Sequence, residues 1–212
     1  IGGQLVRFSR ATLQRVPNLP PNWSGSITAG TAFDLGDARI GIVATAGISN
    51  KWSNRDVRSQ TPSTADLSET ANDFQRIITD NRIVVNGLLG LGAEFGTHKV
   101  RLTGLYIRDT VKQARLSLGE ESTTGFTRQN QDTAWFERQL IDTQAVGEFR
   151  FGDFSLDLRG SYANSQREAP YETSIGYVRT NGAADPTGQF FINRLNNGQT
   201  GSASVAFSDL NE

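Results

Sequence analysis

From Phe154 to Tyr162 the chain repeats with a period of two. Phe154, Leu156, Leu158, Gly160 and Tyr162 fall on one side, and Ser155, Asp157, Arg159 and Ser161 on the other. A period of two is the side-chain repeat of a β-strand; a helix would scatter these residues around its axis. The same alternation recurs along the chain. Odd positions from Trp23 to Phe33 form one such series. Ile40, Ile42, Ala44, Ala46, Ile48, Asn50 and Trp52 share a face, as do Ile83, Val85, Gly87, Leu89, Leu91, Ala93 and Phe95. Val100, Leu102, Gly104 and Tyr106 continue on the way back, but Leu105 and Ile107 break the pattern by falling on the opposite face. A bulge, or an apolar contact on that inner side, is expected there. Trp135 opens a weaker strand with Ile141, Ala145, Gly147 and Phe149, and "SASVAFSDL" begins another. The sequence is all-β and antiparallel.

The connections alternate in length. "DLGDA", centred on Gly36-Asp37, "GTH" at 96–98 and "FGD" at 151–153 read as tight turns. Residues 53–80, 119–133 and 167–201 read as long polar connections, and "RVPNLPP" as the tail of another. A helical turn is expected in "TADLSETANDFQRI", and short strands around Ile175–Val178 and Phe190–Ile192. A soluble sandwich has no reason to gather every long loop at one end, whereas an outer-membrane barrel has short periplasmic turns and long extracellular loops. Phe33, Phe95, Phe149 and Phe154 stand beside the short turns; Trp23, Trp52, Trp135 and Tyr162 stand toward the long connections. Two aromatic girdles thus bound an apolar band of roughly ten residues per strand, the span of a tilted transmembrane strand. The expected fold is an antiparallel transmembrane β-barrel segment. Its apolar face meets lipid. Arg39, Lys51, Lys99, Arg101, Glu148, Arg150, Asp157 and Arg159 point into a wide polar lumen.

Composition removes other classes. Lys plus Arg number 21 and Asp plus Glu 22, so the chain lacks the basic surface that a nucleic-acid partner requires. It has no Cys, hence no disulfide framework and no thiolate metal site. No run of about 18 apolar residues offers a membrane-crossing helix, a test blind to barrel strands. "IGGQLVRFSR" lacks the apolar core of a signal peptide, and the absence of Met even at position 1 suggests a processed product or a piece of something longer.

No residue set points to catalysis, a cofactor or a metal. "GLLGLGAEFG" at 87–96 imitates a dinucleotide loop, but its spacing is one residue too long and a strand follows; small residues easing strand packing and curvature explain it. His98 stands alone in a turn, and "NWS" at 22–24 is only a three-letter sequon match. Glu120-Glu121, and Asp66 with Glu69 and Asp73, could hold a cation, though solvated rim charge is the plainer account. Arg55, Arg58, Arg128, Arg167 and Arg179, in or beside the long connections, could hold an anionic ferric chelate through charge-assisted hydrogen bonds. Surface ion pairing is the competing account.

Three stretches resemble barrel strands of TonB-dependent outer-membrane receptors: "WFERQLIDTQAVGEFRFGDFSLDLRGSYANSQREAPYE" (135–172), "NRIVVNGLLGLGAEFGTHKVRLTGLYIRDT" (81–110), and the segment from "LPPNWSGSITAG" to "GISNKWSNRD" (19–56). The resemblance implies a barrel of about 22 strands around a plug domain. Its implied activity is uptake of scarce ligands such as ferric siderophores, driven by TonB pulling on the plug. It implies residence in the outer membrane, and a transport receptor rather than an enzyme. Residues 1–212 would then be part of one barrel domain, about seven strands with both edges open, the plug and the TonB box lying before Ile1. The implied partners are outer-membrane lipid, the protein's own plug, TonB through the plug, and an extracellular ligand such as an iron chelate. A passive porin-like channel and a soluble β-rich binding module are the alternatives.

Overall fold

The computed structural model describes residues 13, 17–122, 125–180, 185–187, 189–193 and 203–212. The stretch "IGGQLVRFSR" lies outside them. The described residues contain strands and no helix: β1 (Trp23–Leu35), β2 (Ala38–Pro62), β3 (Thr70–Phe95), β4 (His98–Glu121), β5 (Phe126–Phe151), β6 (Phe154–Arg179), β7 (Phe191–Ile192) and β8 (Ala203–Asn211). They form one antiparallel sheet in the order β1 to β7, with β8 also pairing β6. The sheet is not closed into a barrel. Among the described residues β1 has only β2 as a neighbour, and β8 reaches down β6 only as far as the bonds between Ser165 and Glu212.

The tight turns fall where the sequence placed them. Gly36, Gly96 and Gly152 each hold a positive φ, of 61°, 58° and 63°, while Asp37, Thr97 and Asp153 after them do not. Glycine first and an ordinary residue second is the chemistry of a II′ hairpin, whose twist matches that of the strands it joins.

The long connections are corrected. Ser53–Pro62 and Thr70–Asp80, read as loop, are paired strand from Ser53↔Asp80 to Gln60↔Asp73, with a bulge at Pro62. The expected helical turn is absent: a turn over 63–69 leads straight into β3. Residues 119–133 are mostly ladder, from Gly119↔Arg128 to Ala114↔Thr133, and β6 runs unbroken to Arg179. β3, β5 and β6 each have 26 residues, roughly 85 Å of chain at about 3.3 Å per residue. Tilted by about 45°, that is more than twice the height of an apolar band of about 25 Å.

The β3–β4 register is continuous from Asn72↔Glu121 to Phe95↔His98, so no bulge puts Leu105 and Ile107 on their face. A bulge does occur on β6. Trp135 pairs with Tyr171 and Glu137 with Glu168, so Phe136 faces both Ala169 and Pro170. Proline has no N–H to give a ladder, and a bulge is where an interior strand tolerates it. The extra residue switches parity: even positions of β6 share the face of Leu156 up to Glu168, odd positions from Tyr171 onward.

Among the described residues the sheet is a single layer with almost no core. Among the described residues, the buried hydrophobic side chains are Ala169, Ile175 and Val178. Leu89, Leu102, Leu156, Leu158 and Ile27 are exposed, and Ile42 is half-buried. A water-soluble body of this length would bury its apolar strands against a second layer.

Candidate functional site

Register turns six strands into two faces. On the belt face lie transverse rows such as Ile42↔Leu91↔Leu102↔Ala145↔Gly160 and Ile40↔Ala93↔Val100↔Gly147↔Leu158. Each apolar run of the sequence therefore joins its neighbours in one continuous belt. Large exposed apolar patches on proteins mark surfaces covered by something other than water.

The edge of the belt away from the tight turns is oblique. Trp52, its last residue on β2, pairs with Asn81, whereas β3 ends its run at Ile83. Ile83 pairs with Thr110, yet β4 ends at Tyr106. Tyr106 is level with Ile141, and Ile141 pairs with Asn164 while β6 ends at Tyr162. The edge drops on average by two residues per strand, about 6.6 Å for each lateral step of about 4.8 Å. A flat slab cutting strands tilted by about 45° would give about 4.8 Å per step, in one direction throughout.

Both rims are aromatic. At the tight turns, the His98 ring lies among Phe95, Phe149 and Phe151, with centroids 5.3, 5.9 and 5.0 Å away. Its Nδ1 accepts the Arg150 amide at 3.2 Å. His98 is thus part of this aromatic rim and does not stand alone in the turn. At the other rim one row crosses five strands: Trp52↔Asn81↔Lys112↔Trp135↔Tyr171. The Lys112 ammonium sits 4.4 Å from the centre of the Trp135 ring, and the Trp135 indole donates to Glu137, which also pairs with Arg108. Asn22 is spent on the ladder: its side chain accepts the Trp52 amide and donates to the Trp52 carbonyl. Beyond this row β2 and β3 carry polar residues on the belt face, with Asp56, Arg58, Asp73 and Gln75 bonded to one another, whereas on β4, β5 and β6 polar residues begin short of it, at Arg108, Gln139 and Asn164.

The reverse face carries every inward charge expected from the sequence, though it is not polar throughout. Leu88 pairs with Leu105, and Ile107 with Leu140, in adjacent rows. The two apolar residues that broke the alternation are therefore one half of an apolar patch. Their displacement from the belt was its only sequence signal, and the partner Leu140 became visible only through register.

The proposed basic cluster does not assemble. Arg55 and Arg58 are three residues apart on one strand and so face opposite ways. Arg55 pairs with Asp80 at 2.6 Å, Arg58 with Asp73 at 2.6 Å and Arg128 with Glu121 at 2.8 Å. Arg167 lies 5.7 Å from the Phe136 ring, and Arg179 already has interactions at the end of β6. Of the acidic candidates, Asp66, Glu69, Asp73 and Glu121 are engaged. Asp73 takes Arg58 and Gln60, whose bonds hold its carboxyl below the usual range, Arg58 contributing most. Glu69 accepts from Ser63, and Glu121 is paired. No metal-holding group of three or more His, Cys, Asp or Glu occurs among the described residues. In "GLLGLGAEFG" the chain is simply the tight-turn end of β3.

The turn between β2 and β3 is built around Asp66. The Thr64 hydroxyl foremost, then the Ser68 hydroxyl and amide, bring its carboxyl down to about 2. Leu67 beside it holds φ 62°, a left-handed conformation uncommon outside glycine. A carboxyl depressed on folding stabilises above its unfolded pKa of about 3.9. That contribution falls as pH drops below about 3.9 and is gone below about 2. NMR titration of Asp66 should therefore show a midpoint near 2 in the folded protein, moving up in Thr64→Ala and Ser68→Ala. A midpoint unmoved by either substitution would refute the hydroxyl assignment.

No protein-family model matches the chain, and no curated protein matches it.

Proposed function

We propose that this chain is barrel wall from a TonB-dependent outer-membrane receptor, a transporter that takes up a scarce ligand such as a ferric siderophore. The observation that carries the reading is the continuous exposed apolar belt, with its aromatic rims and oblique edge, on a sheet without a second layer. Acyl chains cover the belt. The opposite face looks into the lumen, and the strands rise well past the membrane surface. The whole receptor would hold a plug in that lumen and be driven by TonB. The test is to express the full gene. The reading expects heat-modifiable migration and ligand uptake that stops when TonB is deleted; uptake indifferent to TonB would leave a passive porin-like channel. The Leu88–Leu105 and Ile107–Leu140 patch disfavours the porin, because a water-filled pore gains nothing from a greasy wall. A monodisperse chain in water without detergent would instead support the soluble binding module.

A further inference from the structure

Two like-charged pairs stand in register on the reverse face, past the far edge of the belt. Lys51 is directly opposite Arg82, and Arg138 is directly opposite Arg167. They occupy adjacent rows, Lys51↔Arg82↔Val111↔Phe136 and Val84↔Asp109↔Arg138↔Arg167. Like charges directly across a ladder destabilise it. Asp109 is the one acid in these rows among the described residues, and Arg82 takes both of its oxygens, at 2.9 and 2.8 Å. Arg138 and Arg167 enter no ion pair among the described residues; Arg167 lies instead against the Phe136 ring. Asp80, Glu172 and Asp142 are each two rows away from them, about 13 Å of strand. Asp80 is moreover held by Arg55 and Gln113. On β8, Arg167 faces Leu210, and Glu212 one row on pairs with neither arginine.

Two guanidiniums thus share one place on the wall without a counter-charge of their own. One row nearer the tight turns Ile107 is opposite Leu140, and in the next row Leu88 is opposite Leu105. Asp142, opposite Leu105 and bonded by Gln144, bounds this apolar strip. Forked guanidiniums side by side fit one oxyanion, each with parallel N–H groups to give. The strip beside them has room for a flat ring or a short hydrocarbon. We propose that Arg138 and Arg167 bind the carboxylate, sulfonate or phosphate of an amphiphilic anion, whose apolar body lies on the Ile107–Leu140 and Leu88–Leu105 strip. The site rests on the receptor reading, in which this face lines the lumen, and names the class of the ligand taken up. The Lys51–Arg82 pair adds positive field at the same height and draws an anion toward the wall.

The experiment uses the full-length protein in lipid nanodiscs with benzenesulfonate as the probe, read by calorimetry. Benzenesulfonamide has the same ring without the charge; methanesulfonate has the charge without the ring. Benzenesulfonate should bind at least about tenfold more tightly than either. Arg138→Gln with Arg167→Gln should weaken it by about tenfold or more and bring it level with the sulfonamide. Arg138→Lys with Arg167→Lys keeps the charge and should still prefer the anion. Leu140→Ser should cost about tenfold for benzenesulfonate and leave methanesulfonate unmoved. Arg39→Gln, on the same face beside a tight turn, should change nothing. Heat-modifiable migration of each variant shows that the barrel has formed. Equal affinity for benzenesulfonate and its sulfonamide, or an affinity that ignores the double glutamine variant, would overturn the anion site whatever TonB deletion does. The expected binding together with uptake indifferent to TonB would overturn the receptor reading and leave the site on the wall of a passive channel.

Discussion

On the proposed reading, Leu89→Arg is expected to eliminate the folded, heat-modifiable protein from outer membranes. Leu89 sits mid-belt on β3, between Ala44 and Gly104, and is 49% exposed. An arginine facing lipid near the bilayer midplane costs about 2–4 kcal/mol, a factor of roughly 30 to 1,000 in the insertion equilibrium. Gln144→Arg is the matched control. Gln144 is exposed at the same height on the reverse face, beside Thr103 and Ser161. On the proposed reading an arginine there faces the lumen and should leave assembly within about 0.5 kcal/mol of the parent. The contrast matters more than either result alone, because both positions are exposed and they lie on opposite faces of the sheet. Were water the solvent on both sides, Leu89→Arg would be as harmless as Gln144→Arg, and its folding yield in membranes, read by gel shift, would equal that of the control.

What the sequence made legible follows from the same physics. Hydropathy contrast reports a difference between two environments. From Ile40 to Trp52 one face meets the belt and the other does not, so the alternation is clear and β2 was found. From Ser53 to Pro62 the pairing is equally regular, but Arg55, Val57 and Ser59 on one side and Asp56, Arg58 and Gln60 on the other have similar polarity. The contrast vanished, and with it the strand. A trace remained in charge: Arg55 has Asp80, and Arg58 has Asp73, at ladder spacing. The site was less legible because it is assembled from register. Leu105 and Ile107 could be seen to face the wrong way. That Leu88 and Leu140 meet them depends on pairings among three strands that no single segment encodes. The five loop arginines failed as a cluster because residues read as loop were strand, where odd spacing puts neighbours on opposite faces.

The ladder beyond the belt has its own weak point, at Gly119. This residue pairs with Phe74 on β3 and Arg128 on β5. A Cβ there would stand 2.1 Å from the Asp73 carbonyl oxygen, 2.6 Å from the Phe74 Cα and 2.7 Å from the Phe74 Cδ1. Two of these are backbone atoms, so no rotamer change relieves the clash; β3 and β4 must part. Overpacking of this kind costs about 1–3 kcal/mol, and more where the backbone has to move. Asp73 is also the acceptor for Arg58 and Gln60, so displacing it breaks a cross-strand network as well as a ladder. Gly119→Ala should therefore raise amide exchange by about tenfold to a hundredfold over 72–75 and 117–121. The belt, from Ile83 to Tyr106, should keep its protection. Gly160→Ala is the counterpart: nothing lies within 4 Å of a Cβ there, so exchange should stay at the parental rate throughout. Faster exchange spread evenly over β3 and β4 in Gly119→Ala would show that the polar extensions fold as one unit with the belt. Protection lost only at the far end would show that the ladder beyond the belt opens independently of the belt.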